Sequence, residues 1–189
     1  SSGKMGISLA QEFLDRGADV TLVLGPSNLT LAHKKLSIIN IVSADEMLVE
    51  CGKLHNDNDI IVFCAAVADY RPKVVAEQKI KKSDSEHTVQ LVRNPDIASL
   101  LGAKKKGNQL HVGFALETNN EEVNASEKLI KKNFDMIVLN SLQDSGAGFK
   151  HNTNKISIID DNKIRKFELK SKEDTATDIV NAVVEKINE

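Results

Sequence analysis

Positive charge gathers in one short stretch of this chain. Lys79-Ile80-Lys81-Lys82 puts three cations in four positions, and together with Arg71 and Lys73 they oppose only Glu77. Such a run is either a solvated face or a flexible lysine clamp on polyphosphate, where cations neutralise charge developing in phosphoryl or nucleotidyl transfer. Just upstream, Ala65-Ala66-Val67-Ala68-Asp69-Tyr70-Arg71-Pro72 follows the apolar run Ile60-Ile61-Val62-Phe63-Cys64. In open α/β sheets ligands sit beyond the carboxyl ends of strands. Small residues there let a flat or charged group approach the backbone, with Asp69 and Arg71 able to contact it; the alternative is a polar loop capping a strand. Ser1-Ser2-Gly3-Lys4-Met5-Gly6 sets small residues and backbone N–H groups at a helix start. That geometry favours phosphate, or is a plain helix cap. It is not a P-loop, because no Ser or Thr follows the Gly-Lys and the upstream glycine is missing. Lys128 and Lys132, at i and i+4, share one helix face and are either solvated or reach a second anionic group. Gly113-Phe114-Ala115-Leu116-Glu117-Thr118 ends a strand, with Phe114 either in the core or against a base, and Asn140 ends the next strand in the same way. Gly146-Ala147-Gly148-Phe149 reads as a permissive turn.

These groups need a scaffold, and composition bounds it. The chain has 189 residues, 41% of them apolar, enough to bury a core. Aromatics are 4%, with no Trp, and the formal charge is −2, so neither a stacking platform for nucleic acid nor a global basic field is expected. Two cysteines, Cys51 and Cys64, cannot build a disulfide framework, and Cys64 reads as buried packing. A reduced cytoplasmic protein is expected. The five histidines are scattered without ligand spacing, so no zinc site is expected. No apolar run approaches the ~18–20 residues that span a bilayer, and the N-terminus does not read as a signal peptide.

Periodicity predicts a helix from Met5 to Arg16-Gly17, with Met5, Leu9, Phe13 and Ile7, Ala10, Leu14 at helical spacing. Strands follow at Asp19–Leu24 and Leu36–Val42. Ser43-Ala44-Asp45-Glu46 is a capping-box start for a helix through Leu54. Asp59–Ala66 reads as a parallel strand covered on both faces. Residues 67–93 read as a charged flap with a short strand at His87–Val92. Asn94-Pro95-Asp96 opens a helix to about Lys105. A strand at Leu110–Ala115, a helix at Asn120–Lys132 and a strand at Asp135–Asn140 come next. A hairpin over Lys155–Leu169 turns at Asp160-Asp161-Asn162-Lys163. The last helix carries Ala176, Ile179, Val180, Val183, Val184 and Ile187 on one stripe. The alternation predicts an α/β fold, a doubly wound Rossmann-like parallel sheet with a flap and a C-terminal β-hairpin. Residues 1–189 form a single domain, with the hairpin and last helix over about 154–189. The chain begins on a helix where such a domain begins on a strand, so the reading is of an N-terminally truncated sequence.

In their order, the Ser-Ser-Gly-Lys-Met-Gly start, the Ala65–Pro72 loop, Lys79–Lys82, Asn94-Pro95-Asp96-Ile97, Gly113–Thr118 and Gly146–Phe149 resemble the phosphopantothenoylcysteine synthetase family of coenzyme A biosynthesis, and the bacterial branch of it. The resemblance covers nearly the whole chain; each motif is weak alone and the ordered set is specific. It implies a ligase that joins 4′-phosphopantothenate to L-cysteine through an acyl-cytidylate, using CTP with Mg2+ and releasing CMP and pyrophosphate; the eukaryotic branch uses ATP. Matched motif by motif, Lys79 handles the acyl-cytidylate. Phe63, Cys64, Ala65, Asp69, Pro95, Asp96, Ile97, Ala98, Phe114, Lys128 and Lys132 line the CTP site with Lys79. Ser2, Gly3 and Lys4 match the phosphate-facing helix start. No metal ligand is assigned. The family's catalytic asparagine lies upstream of Ser1. The resemblance also implies a homodimer whose flaps reach the neighbouring site, and fusion behind a flavin-dependent decarboxylase, with no nucleic-acid or membrane partner. The competing readings are an NAD(P)-dependent oxidoreductase, which lacks its G-x-G-x-x-G here, and a nucleotide-binding module without turnover.

Overall fold

The computed structural model describes residues 2–76, 78–80, 88–141 and 152–189. In chain order the elements are α1 (Lys4–Asp15), β1 (Val20–Leu24), β2 (Leu36–Asn40), α2 (Ala44–Leu54), β3 (Ile60–Phe63), β4 (Tyr70–Pro72), β5 (Leu91–Arg93), α3 (Ile97–Gly102), β6 (Leu110–Glu117), α4 (Glu121–Lys131), β7 (Met136–Ser141), β8 (Thr153–Asn154), β9 (Ile156–Asp160), β10 (Ile164–Lys166), β11 (Lys170–Ser171) and α5 (Lys172–Ile187). Five strands form the main sheet in the order β10-β9-β7-β6-β3. β3, β6 and β7 run parallel, while β9 returns antiparallel beside β7 and β10 beside β9. β1 and β2 form a separate parallel pair, and β4 with β5 an antiparallel ribbon. The α/β expectation holds, with helices on both faces of a parallel-rich sheet.

The sheet's two faces explain its strongest strand. Met136 and Val138 of β7 join Met5, Leu9, Ile158, Ile179 and Val183 in one core, where α1 and α5 pack. Ile137 and Leu139 point the other way, into a core with Ala125 of α4, Phe134 and Ile159. A strand covered on both faces reads as a continuous apolar run, and β7 is that strand. β3, expected in that role, is only half-buried along its length and ends at Phe63 rather than Ala66. In α5, Ala176, Ile179, Val180 and Val183 are buried, whereas Val184 and Ile187 lie exposed at the edge of the stripe.

Local chemistry sets the ends. Ser43 Oγ accepts the Glu46 N–H at 3.2 Å, and the Glu46 carboxylate reaches back to the Val42 N–H at 2.9 Å, one residue before the usual capping-box partner. Asp96 caps α3 by accepting the Ser99 N–H at 3.1 Å. α3 stops at Gly102, short of the expected Lys105, and Lys105 instead forms a 2.5 Å ion pair with Asp135. The other Asp135 oxygen accepts the His111 N–H at 2.6 Å, tying the start of β6 to the approach to β7. Among the described residues, no helix is long and apolar enough to cross a membrane, and both cysteines are free thiols.

Candidate functional site

The parallel strands end on one side of the sheet, and the sequence motifs sit just beyond those ends. β3 leads into the loop 64–69, which is followed by the β4–β5 ribbon. Asn94 fastens this loop. Its Nδ2 donates to the Ala68 carbonyl at 2.8 Å, its N–H donates to the Asp69 carbonyl at 2.8 Å, and its Oδ1 accepts from Arg71 at 2.8 Å. Arg71 also pairs with Asp45 of α2 at 3.1 Å. The Ala65–Pro72 and Asn94–Ile97 motifs, far apart in sequence, are therefore one structural unit. Arg71 is committed to holding it, while Asp69 stands exposed to solvent.

A second group forms where α3 and α4 meet the end of β6. Lys132 Nζ donates to Asp96 Oδ1 at 3.0 Å. Burial pushes the Asp96 carboxyl upward, but the Ser99 hydrogen bonds and the Lys132 ammonium outweigh it and hold the group below its ordinary value. Lys128 pairs with Glu117, whose other oxygen accepts from Asn124 at 3.2 Å. Lys128 lies within α4 and Lys132 is the residue that ends it, and each cation has a carboxylate of its own. One strand over, the Asn140 Oδ1 is buried without a hydrogen-bond partner among the described residues. Buried polar atoms are rarely left unpaired, so this one is suited to a ligand.

The two candidate aromatics are not free rings at the strand ends. Phe63 lies against His111 and Phe134, with ring centroids 5.4 Å away in each case. Phe114 packs on the core of the opposite face, as does Cys64. Burial pushes the Cys64 thiol up to about 12, so it stays protonated and serves as packing. Ala98 sits with Phe63 on the α4 face, Ile97 is buried, and Ala65 and Pro95 border the loop.

On the α1 face, Gly3 takes φ +79° at the helix start, a left-handed conformation that favours glycine. Ser2 accepts from Ser27 Oγ through its carbonyl, and Lys4 Nζ donates to Asn152 Oδ1 at 2.6 Å. Lys79 is exposed and makes no hydrogen bond or ion pair with a described residue. Ser1, Lys81, Lys82 and Gly146–Phe149 lie outside the described residues. The candidates therefore divide. Asp96, Ala98, Lys128 and Lys132 gather on the α4 side, Ser2, Gly3 and Lys4 on the α1 side, and the Asp69 loop emerges from β3 beside them. Sequence reasoning did not single out Glu117 as the partner of Lys128, or Asn94 as the fastener of the loop. Both lay inside quoted motifs, but their partners are 11 and 26 positions away.

The chain matches the DNA/pantothenate metabolism flavoprotein C-terminal domain family (DFP) over residues 1–187. It belongs to that family. This DFP domain is 50% identical over 185 residues to a cysteine/cysteine sulfinic acid decarboxylase from an unknown prokaryotic organism, covering 97% of this chain and 52% of the relative. It is 45% identical over 186 residues to the coenzyme A biosynthesis bifunctional protein CoaBC of Haemophilus influenzae, covering 98% of this chain and 46% of the relative. The crystal structure of the C-terminal domain of a CoaBC shares its fold with a TM-score of 0.83 at 32% identity, over 100% of this chain and 84% of that one. The DFP domain thus spans about half the length of the curated relatives it matches.

Proposed function

We propose that this DFP domain is a cytoplasmic phosphopantothenate–cysteine ligase of the CTP-dependent type. The observation that carries the reading is the joining of two ordered motifs beyond β3, where Asn94 fastens the Asp69 loop ahead of the Asp96 helix start and Lys132 pairs with Asp96. The relation to CoaBC over nearly the whole chain supports the same reading. A carboxylate resists attack by an amine until one oxygen becomes a good leaving group. In the proposed reaction the carboxylate of 4′-phosphopantothenate attacks the α-phosphate of CTP, forming an acyl-cytidylate and releasing pyrophosphate. The amine of L-cysteine then attacks the acyl carbon, forming the amide and releasing CMP. Positioning and charge neutralisation carry most of the acceleration.

Lys128 and Lys132 suit the nucleotide because its phosphates can compete for ammonium groups now held by Glu117 and Asp96. Ala65, Ile97 and Ala98 keep that approach close, and the backbone of Phe63, Cys64, Pro95 and Phe114 borders it. Lys79, exposed beyond β4, is assigned to the acyl-cytidylate by the matched motif. Among the described residues there is no cluster of three acidic, His or Cys groups that would hold a metal alone. Magnesium bound through substrate phosphates needs only one or two protein carboxylates, and exposed Asp69 fits that part; when bound, the ion neutralises phosphate charge. The ribbon exposes Tyr70 and Leu91, and the chain beside it exposes Val67, Val74, Val75, Ile80 and Val89. Exposed apolar side chains concentrated in one stretch of chain support a homodimer formed through the flap, residues 67–93 of the single domain.

The test is pyrophosphate release by the full-length protein. CTP should give pyrophosphate only when 4′-phosphopantothenate is present, and Lys79→Gln should slow turnover more than it weakens CTP binding. Absence of pyrophosphate with either CTP or ATP sinks the ligase reading, and faster turnover with ATP overturns the nucleotide assignment. The first relative's name makes cysteine decarboxylation the control reaction. Carbon dioxide release from cysteine that survives Lys79→Gln belongs to another part of the full-length protein.

A further inference from the structure

Glu117 is the last residue of β6, and its backbone is held in the ladder with β7. Its two carboxylate oxygens have different partners. Oε1 forms the ion pair with Lys128, and Oε2 accepts from Asn124 Nδ2 at 3.2 Å. Asn124 Nδ2 also donates to the Asn119 carbonyl at 2.9 Å, which anchors it to the turn before α4 independently of Lys128. The ion pair is lopsided. The Glu117 side chain is 14% exposed, against 42% for Lys128. The ammonium therefore meets solvent, where an anionic ligand arrives, while the carboxylate lies largely out of it. Lys132 has the opposite kind of partner. The Asp96 side chain is 50% exposed, and the oxygen that takes Lys132 also accepts the Ser99 N–H at 3.1 Å. When Lys132 turns to a ligand, Asp96 is left in water and still caps α3. When Lys128 turns to a ligand, Glu117 keeps a neutral amide donor, and a largely buried carboxylate loses its cation at a cost.

We propose that Glu117 is an internal competitor for phosphate. Its carboxylate occupies Lys128 in the free protein, a nucleotide's phosphate must displace it, and it recaptures the ammonium as the products leave. The proposal rests on the ligase reading, and it makes Glu117 a positioning residue that acts through Lys128. Carboxylate and phosphate oxygens offer an ammonium group the same kind of charge-assisted hydrogen bond. The exchange replaces one such bond by another, so nucleotide is held less tightly than a free lysine would hold it. What is gained is release, which limits turnover in many enzymes. Asn124 keeps Glu117 in place during the exchange, so the lock closes again on the same ammonium. The sign of the effect separates this role from a structural one: a damaged site binds nucleotide more weakly, and an unlocked site binds it more tightly.

The test is calorimetric titration of the full-length protein with CTP and with cytidine, which has no phosphate. Glu117→Gln keeps the side chain's shape and an acceptor for Asn124 but removes the charge. It should tighten CTP by about 5- to 10-fold, between the worth of an exposed ion pair and that of a hydrogen bond to a charged group. Cytidine affinity should stay unchanged. In a Lys128→Met background most of the CTP gain should disappear, and KM for CTP in the Glu117→Gln single variant should fall without a rise in kcat. Glu117→Asp, one methylene shorter, should give a smaller gain, and it carries the test if Glu117→Gln does not fold. CTP affinity that is unchanged or weaker in the folded variant overturns the lock. So does an equal gain in the Lys128→Met background, which would mean simple repulsion between Glu117 and phosphate. A protein that makes pyrophosphate but shows no tightening retains the ligase reading and loses the lock. One that shows the tightening but makes no pyrophosphate with 4′-phosphopantothenate retains the lock and loses the ligase reading. Failure of the wild type to bind CTP overturns both.

Discussion

Replacing Gly102 with alanine should separate α3 from the end of α4. A Cβ on Gly102 would lie 2.0 Å from the Lys132 carbonyl oxygen and 2.9 Å from its carbon. Real Cβ contacts are essentially never under 3.0 Å, so the gap must open by about 1.0 Å, and the obstacle is backbone that cannot rotate away. The two are also joined by Asn133 Nδ2, which donates to the Gly102 carbonyl at 3.0 Å. Overpacking of this kind costs about 1–3 kcal/mol, or roughly 2–12 °C in Tm for a domain of this size. The displaced segments carry Asp96 at one end of α3 and Lys132 beyond α4, so the 3.0 Å ion pair should stretch and affinity for CTP should fall with stability. Gly107→Ala is the control, since no atom lies within 4 Å of its would-be Cβ. Differential scanning calorimetry of both variants checks the argument, with CTP titration alongside. Equal Tm values for Gly102→Ala and Gly107→Ala would refute it.

His111 should make stability fall with acid. Burial, then Lys105 and His55, lowers its pKa from 6.5 to about 4, with Asp135 opposing, so the folded chain keeps it neutral while the unfolded chain takes up a proton. The stabilisation is whole above pH 6.5 and is lost as pH falls to about 4, by about 3 kcal/mol in all. Urea unfolding across that range measures the slope, and a slope unchanged in His111→Leu removes His111 as its source. Lys128→Met should weaken CTP about tenfold, and the wild-type advantage should shrink at high salt. Unchanged affinity would leave Lys128 as the partner of Glu117 alone.

Much of the scaffold could be read from periodicity. β1, β2 and α2 fall within a residue or two of expectation and the β9–β10 hairpin within three, because each is bounded by a local signal such as Gly25-Pro26, Ser43 or the Asp160–Lys163 turn. Reading failed where tertiary contacts decide. β3 and β7 are both apolar runs, and only the packing of helices on both faces of β7 distinguishes them. β8 and β11 are two residues each, too short for a pattern. At the site, composition revealed cations but not their partners, since Asp96–Lys132 closes across 36 positions and Lys4–Asn152 across 148.

The pairing of α1 with α5 also sets the order in which this domain can be made. Glu12 meets Thr177, and Arg16 meets Asn181, each pair 165 positions apart, while Met5 and Leu9 share a core with Ile179 and Val183. During synthesis the first helix leaves the ribosome with its apolar stripe uncovered. At the usual pace of translation its partner follows roughly 10–30 s later. Until then the half-built chain exposes a hydrophobic face, and chaperones or premature association compete for it. The sixteen residues of α5 thus act as the latch of the domain, and any stop codon within them strands α1.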